Sequence, residues 1–220
     1  MTLLTRLADR RDPRSWSAKF RRARGRHLAK FLATLPRPIK LLDVGGDPAF
    51  WDVIGAGGGL EITIVNSDLS VSDSRFQFVL GDARDLSQFG DASFDVVVSN
   101  SVIEHVGTRS DQEAMAREVR RVGKRYYVQT PNRFFPIDPH YLVPFFHWLP
   151  RRWQIALLTR FDIGWLRSGG DANAAAVMID SIQLLSARDL LRLFPGARIW
   201  RERFFGLTKS LTAYGGFLSS

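Results

Sequence analysis

The chain has 220 residues, of which 45% are hydrophobic and 12% aromatic, as in a folded globular protein rather than a disordered one. It has no cysteine, which excludes disulfides and thiolate metal sites, and no uncharged apolar run of about 18 residues that could cross a membrane. The first apolar stretch is too short for a secretory signal, so the sequence predicts a cytoplasmic protein.

The positive charge of the chain is concentrated at its N-terminus. The formal net charge is +9, and residues 1–40 hold twelve of the 31 Lys and Arg but only two of the 22 Asp and Glu. Apolar residues recur there at mostly helical spacing, which predicts a basic helical segment over residues 1–38. Its cationic face could be a solvated surface, or residues 6–40 could bind an anionic membrane, with RNA as the less favoured partner. Its apolar side would insert into the membrane or pack on the domain, and includes Trp16, Phe20, Leu28 and Phe31.

From residue 39 onward, short apolar runs alternate with helical segments, which is typical of a parallel sheet with helices on both faces. The five predicted strands are IKLLDV (39–44), LEITIV (60–65), FQFVL (76–80), SFDVVVSN (93–100) and RYYVQT (125–130). Helices are predicted from Pro48 to about residue 56 and over 109–122.

The C-terminal pattern differs, because two predicted strands follow each other without a helix between them. A helix at 187–194 precedes strands at 197–205 and 209–215, which are joined at Gly206. Such a pair indicates an antiparallel hairpin. The sequence therefore predicts an α/β, Rossmann-like, doubly wound and mostly parallel seven-stranded sheet with an antiparallel C-terminal edge hairpin.

A pair of glycines follows the first predicted strand, at the edge where open parallel sheets bind ligands. Gly45 and Gly46 let backbone N–H groups approach a ligand closely. Asp43 and Asp47 flank them and would repel a phosphate, so they favour a ligand with a cationic group. Asp47 could hold an ammonium group or cap the helix that begins at Pro48, and capping is the favoured main role.

Polar residues also follow the second and third predicted strands. Asn66 lies 21 residues after Gly45, the spacing at which such a residue contacts ribose hydroxyls, and Asp68 could take its place. Asp82 supplies a third polar contact. A ribose, a cation and a third polar contact, without a phosphate clamp, predict S-adenosylmethionine as the cofactor rather than a dinucleotide.

Four segments in this order resemble the class I S-adenosylmethionine-dependent methyltransferases, and in particular the small-molecule group that includes ubiquinone-biosynthesis-type enzymes. They are LLDVGGDPAFW, ITIVNSDLS, LGDARDLS and FDVVVSNSVIEHV, which are similar to the glycine-rich motif, the ribose-binding strand, the loop bordering the adenine and the fourth strand. The resemblance implies a methyltransferase domain over 39–220. It also implies a cofactor site made of Asp43, Gly45, Gly46, Asp47, Asn66, Asp68, Asp82, Ala83 and Asn100.

This chain departs from the family pattern Asp-x-Gly-x-Gly-x-Gly. Asp47 and Ala49 stand at the second and third glycines, and Asn66 replaces the usual acid on the second strand. An amide bonds a ribose hydroxyl without charge assistance, so weaker cofactor binding is expected.

Two histidines are the predicted catalytic residues, because an oxygen nucleophile needs a base. His105 follows the fourth strand, and His140 follows the fifth, where Asp138 could orient it. Asp138 and His140 could also be a polar loop pair without a role. Some enzymes of the resembled group bind a divalent ion in this segment. Glu104 and His105 match them, but Ser101 stands where another acid is expected, so no metal is predicted.

The resemblance makes residues 132–171, rich in proline and aromatic residues, a lid and substrate insertion. Its aromatic side chains could line a pocket for a lipid or aromatic substrate, or only pack the loop; they are Phe134, Phe135, Tyr141, Phe145, Phe146 and Trp148. The predicted function is S-adenosylmethionine-dependent methylation, by O-methylation, of a small-molecule, lipid-linked or glycan-linked acceptor, with a peripheral membrane position as an option. The alternatives are an RNA methyltransferase and a catalytically inactive binding protein with this fold.

Overall fold

The computed structural model describes residues 15–55, 58–68 and 73–217. The strands are β1 (Ile39–Val44), β2 (Leu60–Asn66), β3 (Gln77–Leu80), β4 (Val96–Asn100), β5 (Tyr126–Pro131), β6 (Arg198–Phe204) and β7 (Leu207–Gly215). The helices are α1 (Trp16–Leu32), α2 (Pro48–Ile54), α3 (Arg109–Val122), α4 (Arg151–Arg160), α5 (Ala172–Asp180) and α6 (Ala187–Leu193). No helix in these three ranges is long and apolar enough to span a bilayer.

The seven strands form one sheet in the order β3-β2-β1-β4-β5-β7-β6. Strands β1 to β5 pair in parallel, and β7 runs antiparallel to both β5 and β6. This arrangement confirms the predicted mostly parallel sheet with a C-terminal hairpin. The strand order reverses between β1 and β4, which opens a crevice at their carboxyl ends.

Both faces of the sheet are covered, because successive residues of a buried strand point to opposite sides. On one face, Leu41 packs in a cluster with Leu28 of α1 and Trp51 of α2. On the other face, Leu42 packs in a cluster with Met115 of α3 and residues of α6. Each fully buried Leu contributes about 1.5–3 kcal/mol, so these two layers stabilise the sheet between them.

Helix α3 has the bounds that the sequence predicts, and its N-terminal cap explains where it begins. Thr108 and Asp111 form a capping box, in which each side chain accepts the backbone N–H of the other residue. Helix α2 ends at Ile54, slightly earlier than predicted, because Gly55 follows it with a left-handed φ of 73°.

The apolar side of α1 packs on the domain. Leu28 is fully buried, and the rings of Trp16 and Phe20 lie 4.3 and 5.5 Å from that of Phe204. Of the two uses predicted for these side chains, the structure shows packing. Residues 6–14 of the basic segment lie outside the described residues, so membrane binding through 6–40 stays a prediction.

One arginine of α1 is part of the buried interior. Arg24 Nη1 lies 3.1 Å from Glu202 Oε2 on β6, and both side chains are at least nine-tenths buried. Removing Glu202 would typically cost about 3–5 kcal/mol, because the charge of Arg24 would stay buried and unpaired. Arg24 therefore anchors the helix and is not part of a solvated cationic face.

His27 gives the fold a pH dependence. Its ring stacks on Trp200 at 4.2 Å, and its Nδ1 lies 3.0 Å from the Tyr127 hydroxyl. Burial, reinforced by Lys30, lowers the pKa of His27 from 6.5 to about 4. The unfolded chain therefore binds this proton first as the pH falls from 6.5 towards 4, and the folded state loses stability over that window.

We expect the folded state to lose about 1 kcal/mol over this window through His27, since the ring is only half-buried and solvent screens part of the effect. Urea unfolding of wild type and His27→Gln at both ends of the window measures it. Other groups titrate in both proteins, so the result is the difference between them. An equal loss in the two proteins would contradict the assignment.

Candidate cofactor and acceptor site

A cavity of about 290 Å³ opens at the carboxyl ends of β1, β2 and β4. Five residues predicted for the site line it, namely Gly45, Asn66, Asp82, Ala83 and His105. Arg84 also lines it and was missed by the sequence analysis. The other predicted cofactor residues, Asp43, Gly46, Asp47, Asp68 and Asn100, do not line this cavity but belong to the same strand ends.

Packing within the protein requires both glycines. Gly45 has a φ of +70°, and a Cβ there would lie 2.6 Å from the Val102 side chain. A Cβ at Gly46 would lie 1.9 Å from Asp43 Oδ2. The glycine pair is therefore needed to form the loop, as well as to leave its backbone open to a ligand.

Asp43 lies beneath this loop rather than on the cavity wall. It is buried, and its Oδ2 accepts a 2.6 Å hydrogen bond from Trp51 Nε1. Burial raises the pKa of Asp43 to about 7, against the opposing effect of the Trp51 bond, and Asp47 adds to the rise. Its Oδ1 has no hydrogen-bond partner in the described chain, so Asp43 can still accept one from a ligand or a loop N–H.

Asp47 has the capping role that the sequence favoured. Its side chain accepts a 2.9 Å hydrogen bond from the backbone N–H of Ala49 at the start of α2. Asn66 Nδ2 donates to the Gly46 carbonyl oxygen at 3.0 Å and so ties β2 to the glycine loop. A carboxamide has two N–H donors and an acceptor oxygen, which leaves Asn66 able to bond a ribose hydroxyl.

Replacement of Asn66 measures its contribution to cofactor binding. We expect Asn66→Ala to weaken S-adenosylmethionine binding by about 1–2 kcal/mol, through loss of the ligand bond and of the bond to Gly46. Asp68, which is exposed beyond the end of β2, is the comparison. Calorimetry that finds a larger effect for Asp68→Ala would move the ribose contact by two residues.

Asp82 is engaged by an arginine two residues later. Arg84 Nε lies 2.9 Å from Asp82 Oδ1, and Arg84 Nη1 lies 3.2 Å from Asp111. The hydrogen bonds from Arg84 to Asp82 hold the pKa of Asp82 below its usual value. Asn100 ends β4, and its Oδ1 is buried without a protein partner in the described ranges. A buried acceptor of this kind is what a ligand N–H or O–H would satisfy.

The structure brings the two predicted catalytic histidines together. His105 and His140 are 35 residues apart, yet their Nε2 atoms lie 2.9 Å from each other. Asp138, whose side chain is 1% exposed, has its Oδ1 2.9 Å from His140 Nδ1 and also accepts the His140 backbone N–H. These bonds make Asp138 the residue that orients the His140 ring.

A buried glutamate lies beside this pair. Glu104 is fully buried, and its Oε2 accepts a 2.9 Å hydrogen bond from Thr130. Burial raises the pKa of Glu104 to about 7, although His140 opposes the shift. Glu104, His105 and His140 offer three ligand atoms within 4.8 Å of one another, close enough for one divalent cation. The expectation of no metal ion stays a prediction.

Comparison with known proteins agrees with the predicted family. The family described as methyltransferase domain matches residues 55–126, from the end of α2 to the start of β5. Two uncharacterized proteins, from two strains of Mycobacterium tuberculosis, are each 25% identical over 131 residues. The match covers 54% of this chain, and the chain spans about half the length of these curated relatives, 45%.

Solved structures share the fold at low identity. A Methanosarcina mazei protein titled a SAM-dependent methyltransferase is 15% identical, with a TM-score of 0.53 over 84% of this chain and 94% of its own. An Aquifex aeolicus SAM-dependent methyltransferase is 10% identical, with a TM-score of 0.52 over 97% of this chain and 98% of its own. The chain thus contains a segment that matches the methyltransferase-domain family, within a fold that it shares with solved structures of S-adenosylmethionine-dependent methyltransferases.

Proposed function

We propose that the chain transfers a methyl group from S-adenosylmethionine to an oxygen of a small-molecule, lipid-linked or glycan-linked acceptor. The observation that carries the proposal is the array of Asp138, His140 and His105 beside the cavity lined by Gly45 and Asn66. An oxygen nucleophile needs a base at the cofactor, and this array provides one.

The residues around the cavity fit the cofactor. The oxygens of Asp43 and Asn100 that lack partners in the described chain can accept hydrogen bonds from a ligand. Asp43 and Asp47 also supply carboxyl groups that would attract a cationic group of the ligand. Asn66 has bonding capacity left for a ribose hydroxyl. When bound, S-adenosylmethionine supplies an electrophilic methyl group on a positively charged sulfur.

The chain then has to activate and orient the acceptor. Because Asp138 accepts a hydrogen bond from His140 Nδ1–H, the basic nitrogen of His140 is Nε2. This nitrogen takes the proton of the acceptor hydroxyl as its oxygen becomes the nucleophile. The acceptor hydroxyl would replace His105 as the hydrogen-bond partner of His140 Nε2, which places the acceptor oxygen at the base. Positioning of this kind supplies much of the rate of methyl transfer.

The insertion supports a bulky or lipid-linked acceptor. Of its six predicted aromatic residues, Phe135, Tyr141 and Phe146 are buried and hold the insertion together. The other three, Phe134, Phe145 and Trp148, are each about half exposed or more. The buried rings thus pack the loop, while the exposed rings remain available to an apolar acceptor or surface.

Methyl transfer with labelled S-adenosylmethionine tests the proposal. Calorimetry first measures cofactor binding, and the chain is then incubated with phenols, glycans, a lipid extract or RNA, with and without a chelator. O-methyl products from the phenols, the glycans or the lipid extract would support the proposal. Methylated RNA would instead favour the RNA methyltransferase alternative. Failure to bind S-adenosylmethionine would favour the inactive binding protein, and loss of activity on chelation would contradict the prediction of no metal.

A further inference from the structure

We infer that the insertion docks on an anionic membrane through one face, which we call the docking face. It consists of Phe145, Trp148, Leu149, Arg152, Trp153 and Arg160. The inference goes beyond the proposed function, because it concerns where the chain binds and not which acceptor it methylates.

Exposed apolar side chains are concentrated in this insertion. Of the fourteen exposed large hydrophobic side chains in the described ranges, eight lie between residues 134 and 165. Six consecutive residues, 148–153, are all exposed, and Trp153 is 55% exposed. Clusters of exposed apolar residues on a folded protein mark binding surfaces for another molecule.

Three residues of the docking face lie on the exposed side of helix α4. Gln154 and Leu158 are its buried residues, and the Gln154 side chain donates to the Leu149 carbonyl oxygen at 2.8 Å. Arg152, Trp153 and Arg160 are exposed and, at 3.6 residues per turn, lie on the opposite side of the helix. Neither tryptophan of the docking face has an acidic neighbour in the sequence, since His147 and Leu149 flank one and Arg152 and Gln154 flank the other.

The turn that precedes α4 carries the other members of the docking face. The rings of Phe145 and Trp148 lie 5.2 Å apart, and Trp148 Nε1 donates to the Arg133 carbonyl oxygen at 2.9 Å. Trp148 is therefore held in place with half of its surface exposed. Indole rings held in this way, with an apolar body and a polar edge, suit the boundary between lipid headgroups and acyl chains.

The charges of the docking face match an anionic surface. Neither Arg152 nor Arg160 has a carboxylate partner in the described chain, whereas Arg151 pairs with Asp180 and Arg167 with Asp162. Unpaired arginines beside exposed tryptophan, phenylalanine and leucine form the combination that binds anionic lipid, with charge attracting the headgroups and apolar rings inserting shallowly.

The docking face is packed to the same unit as the proposed base. Tyr141, which follows His140, is buried in one cluster with Phe146 and with Leu158 of α4. The His140 carbonyl oxygen also accepts a hydrogen bond from the Trp165 backbone N–H. Docking through α4 would therefore fix the orientation of the unit that carries His140 relative to the bilayer.

Vesicle sedimentation with the full chain tests the inference. We expect binding to vesicles that contain phosphatidylglycerol, little binding to pure phosphatidylcholine, and weaker binding at high salt. Trp148→Ser/Trp153→Ser and Arg152→Glu/Arg160→Glu should each lower binding to the anionic vesicles at least tenfold. The matched controls, Leu191→Ser/Phe205→Ser and Arg188→Glu/Arg192→Glu, change exposed residues outside the docking face and should bind as the wild type does.

Several results would overturn the inference. The inference is wrong if the wild type does not bind anionic vesicles at low salt. It is also wrong if the docking-face variants bind these vesicles as well as the wild type does. Loss of binding in Arg26→Glu/Lys30→Glu alone would assign it to α1, and binding to RNA but not to vesicles would assign the charge to nucleic acid. Circular dichroism confirms that each variant folds. Because methyl transfer is not measured here, failure of the proposed function would leave this result standing.

Discussion

We expect His140→Ala to lower the rate of methyl transfer about 10²–10⁴-fold while leaving the affinity for S-adenosylmethionine unchanged. His140 does not line the cofactor cavity, whereas His105 does. The Nε2 atoms of the two histidines lie 2.9 Å apart. Loss of this nitrogen removes the base and not the cofactor contacts. Single-turnover rates with a hydroxyl acceptor, together with calorimetry, separate the two effects.

The pH profile distinguishes a base from a structural histidine. The rate of His140→Ala should rise with pH as the acceptor hydroxyl ionises without help. Asp138→Asn should lower the rate and change the pH profile, because Asp138 is a positioning residue that fixes the His140 ring. His147→Ala is the matched control, since His147 lies in the same insertion and its Nε2 contacts the Arg133 carbonyl oxygen instead. Equal losses of rate in the His140 and His147 variants would contradict the role of His140.

The second large effect is expected at the glycine loop. Gly46→Ala would place a Cβ 1.9 Å from Asp43 Oδ2, and Asp43 is buried and bonded to Trp51, so its side chain has little room to move. We expect this variant to lose about 1–3 kcal/mol of stability and to bind S-adenosylmethionine poorly, because the loop must shift. Urea unfolding and calorimetry measure the two losses.

Two further variants identify the cause. Gly90→Ala is the control, because a Cβ at Gly90 meets nothing within 4 Å, and it should unfold as the wild type does. Asp43→Ala removes the obstacle, so its destabilising effect and that of Gly46→Ala should not add. If Gly46→Ala unfolds like Gly90→Ala and binds the cofactor normally, the packing account of the loop is wrong. A valine at Gly45 would test the fold as well as the cofactor, since its Cβ would clash with Val102.

Much of the fold could be predicted because its signals are local. The buried strands are short apolar runs between turn residues. Helix α3 begins at a capping box whose two residues lie within four consecutive positions of the sequence. The placement of His105 and His140 at one edge also follows from sequence order, since parallel strands end on the same side of a sheet. Asp47 is a local cap, which is why its main role could be predicted.

Other features depended on contacts between residues far apart in the chain. Arg24 and Glu202 are separated by 178 residues, so no local pattern could show that this arginine of the basic segment is buried. The need for Gly45 depends on Val102, and the 2.9 Å approach of the two histidines depends on the path of the chain after β5. Helical periodicity shows that α1 has an apolar side but not what covers it. Burial depends on the shape of the whole chain, so only the tertiary structure could show that the sheet covers α1 and that Trp153 of α4 stays exposed.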